Sequence, residues 1–141
     1  MSLTATSRAI PGTLRNEIVV NGKHRLITDE PEAAGGGDSA AAPHELLVAA
    51  LAGCVSTTLV MYANRKGWDL GEVTVHADYD HKATPRRVEL AIEVTADLAP
   101  DQLERLEQIA AACPVRRSLE AGFAFHEQLV HAPSAEVIPA G

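Results

Sequence analysis

The sequence predicts an α+β fold, an antiparallel sheet wrapped around central helices, and three observations lead there. Two short runs flank an Asn-Gly turn near the start, and apolar residues alternate with polar ones from Val73 to Val94; a long apolar helical run separates the two stretches; and the order of elements lacks the regular alternation of a doubly wound parallel sheet. At 141 residues the chain has room for one domain with a hydrophobic core. Residues 1–141 are therefore read as a single domain, with its core at about 14–131 and a flexible tail from Ala132.

The elements follow in order. Leu14 to Val20 and Lys23 to Asp29 flank Asn21-Gly22, a dipeptide that tolerates positive φ and suits a tight hairpin turn, and Thr4 to Ala9 offers a third strand. Asp29 to Ala42 carries Pro31, Gly35-Gly36-Gly37 and Asp38-Ser39 and reads as a mobile loop without side chains to anchor it. Its glycines lack the Gly-Lys-Ser/Thr of a phosphate loop. Pro43 then opens a helix with Glu45 in its first turn, apolar on every face through Leu46 to Val55, which belongs at the centre of a core. It closes on Arg65-Lys66 with Gly67 just beyond.

Val73, Val75, Ala77 and Tyr79 mark one face of a strand, and Val88, Leu90, Ile92 and Val94 repeat the pattern after a turn near Thr84-Pro85. Pro100-Asp101 opens a second helix in which Leu103, Leu106, Ile109, Ala110 and Cys113 form one stripe. Pro114 biases Cys113 away from helical geometry, so the helix should break there. A short helical turn from Arg117 to Glu120 ends at Gly122, and Phe123 to Val130 reads as a last strand.

Composition excludes several classes of function. Twelve Lys and Arg against 19 Asp and Glu give a formal charge of −7, which repels polyanions and removes the electrostatic basis for nucleic-acid binding. The chain start lacks the basic-then-apolar order of a signal peptide, and the longest apolar stretch, about Leu46 to Cys54, falls short of the roughly 20 residues that cross a bilayer. A cytoplasmic protein without membrane or nucleic-acid partners is expected.

Cys54 and Cys113 are too few for a disulfide framework, and at 59 residues apart they form neither a Cys-x-x-Cys redox motif nor a zinc knuckle. On its residues alone Cys54 reads as a small buried hydrophobe, whereas Cys113, locked by Pro114 and followed by Arg116-Arg117, suits a thiol that moves or meets solvent. His76, Asp78, Asp80 and His81 are the one dense cluster of metal-ligand types, but a strand places the first three on the face that an antiparallel sheet turns to water. No metal and no cofactor is expected.

Three motifs, in order, give the chain a resemblance. Pro43-His44-Glu45-Leu46-Leu47-Val48-Ala49-Ala50-Leu51-Ala52-Gly53-Cys54, then Tyr62-Ala63-Asn64-Arg65-Lys66-Gly67-Trp68, then Ala112-Cys113-Pro114-Val115-Arg116-Arg117-Ser118-Leu119-Glu120 resemble the OsmC/Ohr family, especially its OsmC-like branch. The resemblance implies an intertwined homodimer and a thiol peroxidase that reduces organic hydroperoxides, with a dithiol or lipoyl-type reductant. Cys54 would be the peroxidatic thiol and Cys113 the resolving one. It also implies an activating glutamate and arginine. The family's glutamate directly follows the motif proline, where this chain has His44, so Glu45 is the candidate one place on. Arg15 is the closest match for the arginine, with Arg8 and Arg25 the other candidates. An OsmC-like redox sensor and a non-catalytic dimer holding a small apolar ligand are the alternatives.

Helix geometry constrains that assignment. On a continuous helix Glu45 lies about 13 Å before Cys54 along the axis and on the opposite face. Either the helix breaks between them, or an activating group comes from a partner subunit.

Overall fold

The structure, a computed structural model, describes residues 2–133. They form two compact units, one from the chain up to Leu46 together with the segment from His126, the other from Leu47 to Phe125. The sequence expectation for the tail beyond Pro133 lies outside the described residues.

In the first unit β1 (Ala5–Ala9), β2 (Asn16–Val20) and β3 (His24–Thr28) form an antiparallel sheet in that order, with Ile18 opposite Ser7 on one side and Leu26 on the other. Asn21 and Gly22 both take positive φ, +52° and +64°, the turn geometry that matches the twist of two tightly joined strands. The segment after β3 corrects the sequence reading of an unanchored loop. Asp29 is only 1% exposed, and its carboxylate accepts bonds from the Glu30 N–H (2.8 Å), the Ser39 N–H (3.0 Å) and the Ser39 hydroxyl (2.6 Å). The loop folds tightly over this anion, so a Cβ on Gly36 would overlap the Glu30 carbonyl.

The Ser39 hydroxyl, then the Ser39 and Glu30 N–H groups, hold the Asp29 carboxyl down at about 2, against the opposing influence of burial. Because the folded pKa is depressed, the stabilisation is complete above the unfolded value near 4 and is lost as pH falls from there through about 2. Asp29→Asn is therefore expected to lower the urea midpoint at pH 7 and to converge on wild type below about pH 2, where the native carboxyl is protonated as well. A difference between the two proteins that is constant from pH 7 to pH 2 would contradict this.

A long helix, α1 (Pro43–Lys66), begins with Glu45 accepting the Ala42 N–H at 2.9 Å, half of a capping box. Its length and composition alone would suffice to cross a membrane, with a mean hydropathy of 2.0 over its most apolar window. The sequence reading ended the apolar run at Cys54; Ser56-Thr57-Thr58 interrupts that run without breaking the helix.

In the second unit β4 (Val73–Asp80) and β5 (Arg87–Val94) form a two-stranded antiparallel sheet, with Val73, Val75, Ala77 and Tyr79 opposite Val94, Ile92, Leu90 and Val88. The apolar face predicted for each strand thus lies beside that of the other. Two shorter helices follow, α2 (Pro100–Ala110) and α3 (Pro114–Ala121). Leu51, Val55, Leu59, Tyr62 and Ala63 of α1 meet Leu70, Leu106, Ala110 and Cys113, and the sheet residues Val73, Val75, Leu90, Ile92 and Val94 pack on that cluster. Only one stripe of α1 is covered. Val60 and Met61 are 41% and 61% exposed, because a two-stranded sheet and two short helices screen one side of a helix. Full burial of α1, expected from its composition, is thus not achieved by this chain.

Two further expectations change. α3 begins at Pro114 rather than Arg117, since proline has the φ of a first helical residue and no N–H to leave unpaired. Phe123 to Val130 is not a strand: it has no ladder partner among the described residues, and Phe125 and Leu129 are 78% and 97% exposed. Alternation predicts which face of a strand is apolar, but a strand exists only by pairing.

Candidate active site

Cys54 sits midway along α1, one turn after Leu51 and one turn before Thr58. Its sulfur is 4.0 Å from the Thr58 hydroxyl, as i,i+4 spacing on one helix face allows. Cys113 is the residue that caps α3, with extended φ and ψ of −55° and 130°, the conformation that Pro114 imposes on its predecessor. The Arg117 N–H returns to the Cys113 carbonyl at 3.0 Å and closes the first turn.

Those local geometries bring the thiols together. Cys54 packs against the cluster that holds Cys113, and each thiol influences the other's ionisation; the Val115 N–H, one of the unpaired donors at the start of α3, acts on Cys54 as well. Both cysteines are free thiols. Burial is the strongest single influence on Cys54 and favours its neutral form. The influences of Cys113, of the Val115 N–H and of Thr58 outweigh it together, and Cys54 ionises below the usual thiol range. Burial pushes Cys113 the other way, and Cys54 pushes it further, against the Arg116 and Val115 N–H groups. The two shifts run in opposite directions, so Cys54 is the more readily ionised thiol of the pair.

The stripe of the second helix put Cys113 on the buried side, and Cys113 is fully buried; the reading of it as the thiol that meets solvent does not hold, and Cys54, read as a buried hydrophobe, is the half-buried one. Pro114 fixes Cys113 at a helix start turned inward, where the i, i+4, i+7 stripe of α2 carries it after Leu106 and Ala110.

Glu45 and Arg15 belong to the first unit. The Glu45 carboxylate is occupied at the start of α1 by the Ala42 N–H, and α1 has no break between Glu45 and Cys54, so the break that would let Glu45 act on the Cys54 of its own chain is absent. Arg15 follows the β1–β2 turn; its Nε is buried with no hydrogen-bond partner among the described residues. Arg8 is paired with Glu17. Sequence reasoning missed Thr58 and the Val115 N–H as partners of Cys54. The signals existed: four-residue spacing on a helix for the first, and proline at a helix start for the second.

Two grooves lie within this unit, and neither cysteine is among the residues that line them. One, of about 680 Å³, runs between α1, the β4–β5 sheet and α3, with Leu51, Tyr79, Val88, Leu90, Arg86 and Arg116 among its walls. The other, of about 400 Å³, lies between β5 and α2 and shares Leu90 and Arg116 with the first. Among the described residues no group of three His, Cys, Asp or Glu side chains converges as a metal site. His76, Asp78 and Asp80 lie on the exposed face of β4.

The sequence profile described as OsmC-like protein matches residues 35–127. The chain belongs to that family. Its fold is similar to that of a candidate osmotic stress-induced and detoxification response protein from Psychrobacter arcticus, at 27% identity and a TM-score of 0.70 over 83% of this chain and 87% of the other. It is also similar in fold to the organic hydroperoxide resistance protein OsmC from Legionella pneumophila (22% identity, TM-score 0.62, 83% and 88% of the two chains). A third similar fold is the organic hydroperoxide resistance protein OhrB of Bacillus subtilis (19%, 0.53, 83% and 89%). No curated protein sequence matches. The region matched by the profile contains both cysteines, the whole of α1 and the four further segments, β4, β5, α2 and α3, that carry the grooves.

Proposed function

We propose that this OsmC-like protein is a cofactor-free thiol peroxidase that reduces organic hydroperoxides to alcohols. The observation that carries the reading is the packing of a half-buried Cys54, whose pKa is lowered, on the cluster that holds a fully buried Cys113, whose pKa is raised. The Cys54 thiolate attacks the distal peroxide oxygen; the O–O bond breaks, the sulfur becomes a sulfenic acid, and the alkoxide leaves and takes up a proton as alcohol. The Cys113 sulfur then displaces the sulfenic hydroxyl, forming the disulfide and water. An external dithiol, free or lipoyl-borne, reduces the disulfide by exchange and is itself oxidised to a disulfide. No step calls on a metal.

The protein acts in this reading as a homodimer. Val60 and Met61 on the open side of α1, and the alternating but unpaired segment Phe123 to Val130, are surfaces that a second copy would cover. Glu45 keeps its assignment as an activating group only if a partner subunit delivers it to Cys54, because α1 is continuous between the two; Arg15 stays the proposed activating arginine. That some similar folds are organic hydroperoxide resistance proteins accords with the substrate class.

The test is consumption of cumene hydroperoxide by the wild-type protein with dithiothreitol or dihydrolipoamide. Turnover is expected, with oxidised protein two hydrogens lighter than reduced protein by intact mass. Absence of turnover with either dithiol would overturn the peroxidase reading. It would favour the reading of a non-catalytic apolar-ligand protein, for which the 680 Å³ groove is the supporting observation.

A further inference from the structure

Three consecutive hydroxyl residues, Ser56, Thr57 and Thr58, follow Cys54 within one turn of α1, and their side chains do different things. Inside a helix a serine or threonine hydroxyl ordinarily bonds back to the carbonyl four residues earlier, whose oxygen has a second lone pair to accept with. Ser56 does so, donating to the Ala52 carbonyl at 3.1 Å. Thr57 is exposed. Thr58 is half-buried, and its hydroxyl has one partner among the described residues, the Cys54 sulfur at 4.0 Å. The hydroxyl thus forgoes the backbone carbonyl for a thiol on the same helix face.

The ionisation state of the thiol decides which atom donates. While Cys54 carries its proton, either the S–H or the O–H can donate. A thiolate has no proton, so the hydroxyl alone donates to it, and a hydrogen bond to an ionised acceptor is roughly twice as strong as one between neutral groups. The contact therefore gains strength as the proton leaves, and it is among the influences that lower the Cys54 pKa. Thr58 is β-branched, with few χ1 choices in a helix, so its hydroxyl is a nearly fixed point against which the sulfur is held. The other groups of this unit that act on Cys54 are the Cys113 thiol and the Val115 N–H; no charged side chain of the unit is among them. Val115 acts through its main chain, and Cys113 is itself a thiol of the proposed cycle. Thr58 is the group whose effect a side-chain substitution isolates.

We propose that Thr58 is a positioning residue for Cys54: its hydroxyl turns to donate to the sulfur when the thiol proton leaves, and holds the ionised sulfur in place for attack on the hydroperoxide. Thr58 keeps its own proton throughout, and the Cys54 proton goes to solvent. The proposal rests on the peroxidase reading for the attack, whereas the bond to the thiolate stands on the helix geometry.

Alkylation of Cys54 by iodoacetamide in the reduced full-length protein, followed against pH by the mass of the peptide that carries Cys54, reads ionisation of this thiol without any peroxide. Thr58→Val keeps the β-branched shape and deletes the hydroxyl, while Thr58→Ser keeps the hydroxyl. The alkylation inflection is expected to move up by about half to one pH unit in Thr58→Val, which is roughly three- to tenfold less thiolate at any pH below it, and to stay within about 0.3 unit of wild type in Thr58→Ser. Ser56→Ala, which removes a hydroxyl committed to the backbone, should leave the inflection where it is in wild type. In Thr58→Val the first oxidation by cumene hydroperoxide should slow by the same roughly three- to tenfold below the inflection and recover toward wild type on the high-pH plateau. An inflection that Thr58→Val leaves in place overturns the proposal. So does a shift of equal size in Ser56→Ala, or a loss of Thr58→Val reactivity that is the same at every pH, the result expected of disturbed packing. A shifted inflection alongside a wild type that consumes no cumene hydroperoxide would remove the peroxidase reading and keep the bond from Thr58 to the thiolate; an unshifted one alongside wild-type turnover would do the reverse.

Discussion

Cys54→Ser is expected to lower hydroperoxide consumption by on the order of 10³-fold or more, because a neutral hydroxyl replaces the thiolate that breaks the O–O bond. Cys113→Ser should behave differently. Cys54 is intact, so the first oxidation proceeds once, and the sulfenic acid then persists for want of a second thiol and is trapped by dimedone. The pH dependence adds a readout that loss of folding would not imitate. The deprotonated form reacts, so the rate of the first oxidation rises with pH and reaches its plateau once Cys54 is ionised. With the Cys54 pKa lowered, that plateau comes at a lower pH than for an ordinary thiol. Cys113→Ala removes an influence that lowers the Cys54 pKa, and the inflection should move up. An inflection unchanged in Cys113→Ala, or turnover that survives Cys54→Ser, would dissolve the assigned roles.

The legibility of this site in the sequence was uneven for physical reasons. Helix α1 was readable at both ends, because proline at its start and glycine after its end act locally on φ and on unpaired backbone groups. The apolar faces of β4 and β5 followed from alternation, since both strands have one covered face. Asp29 was not readable: its anchoring depends on Ser39 and on backbone donors ten residues away closing around it, which no periodic pattern encodes. The Phe123 to Val130 alternation was real in the sequence but lacks a ladder partner among the described residues. The thiol pair was the least legible part. Fifty-nine residues separate Cys54 from Cys113, and their contact is made by packing α2 and α3 on α1; only family resemblance linked them beforehand. Once the fold is drawn, each thiol's pKa direction follows from local chemistry.

The largest stability effect is expected from Leu59→Ala. Leu59 is fully buried in the stripe that runs Leu51, Val55, Leu59, Tyr62, and it meets Leu106 and Ala110 of α2. Truncating a buried leucine loses its transfer free energy and leaves a void, together about 2–5 kcal/mol. Here the lower half of that range is expected, because Leu59 also borders the 400 Å³ groove, and the void opens into existing space rather than remaining sealed. A loss of about 2–3 kcal/mol corresponds to a fall in Tm of roughly 10 °C for a chain of this length. Leu59→Met conserves volume and should cost less than about 1.5 kcal/mol. Glu104→Ala, on the exposed face of α2, should stay within about 0.5 kcal/mol. Urea melts at one matched protein concentration keep any contribution from assembly constant across the series. A Leu59→Ala protein as stable as Glu104→Ala would mean that the α1 stripe is not the core of this unit, and the thiol contact that α1 positions would lose its support with it.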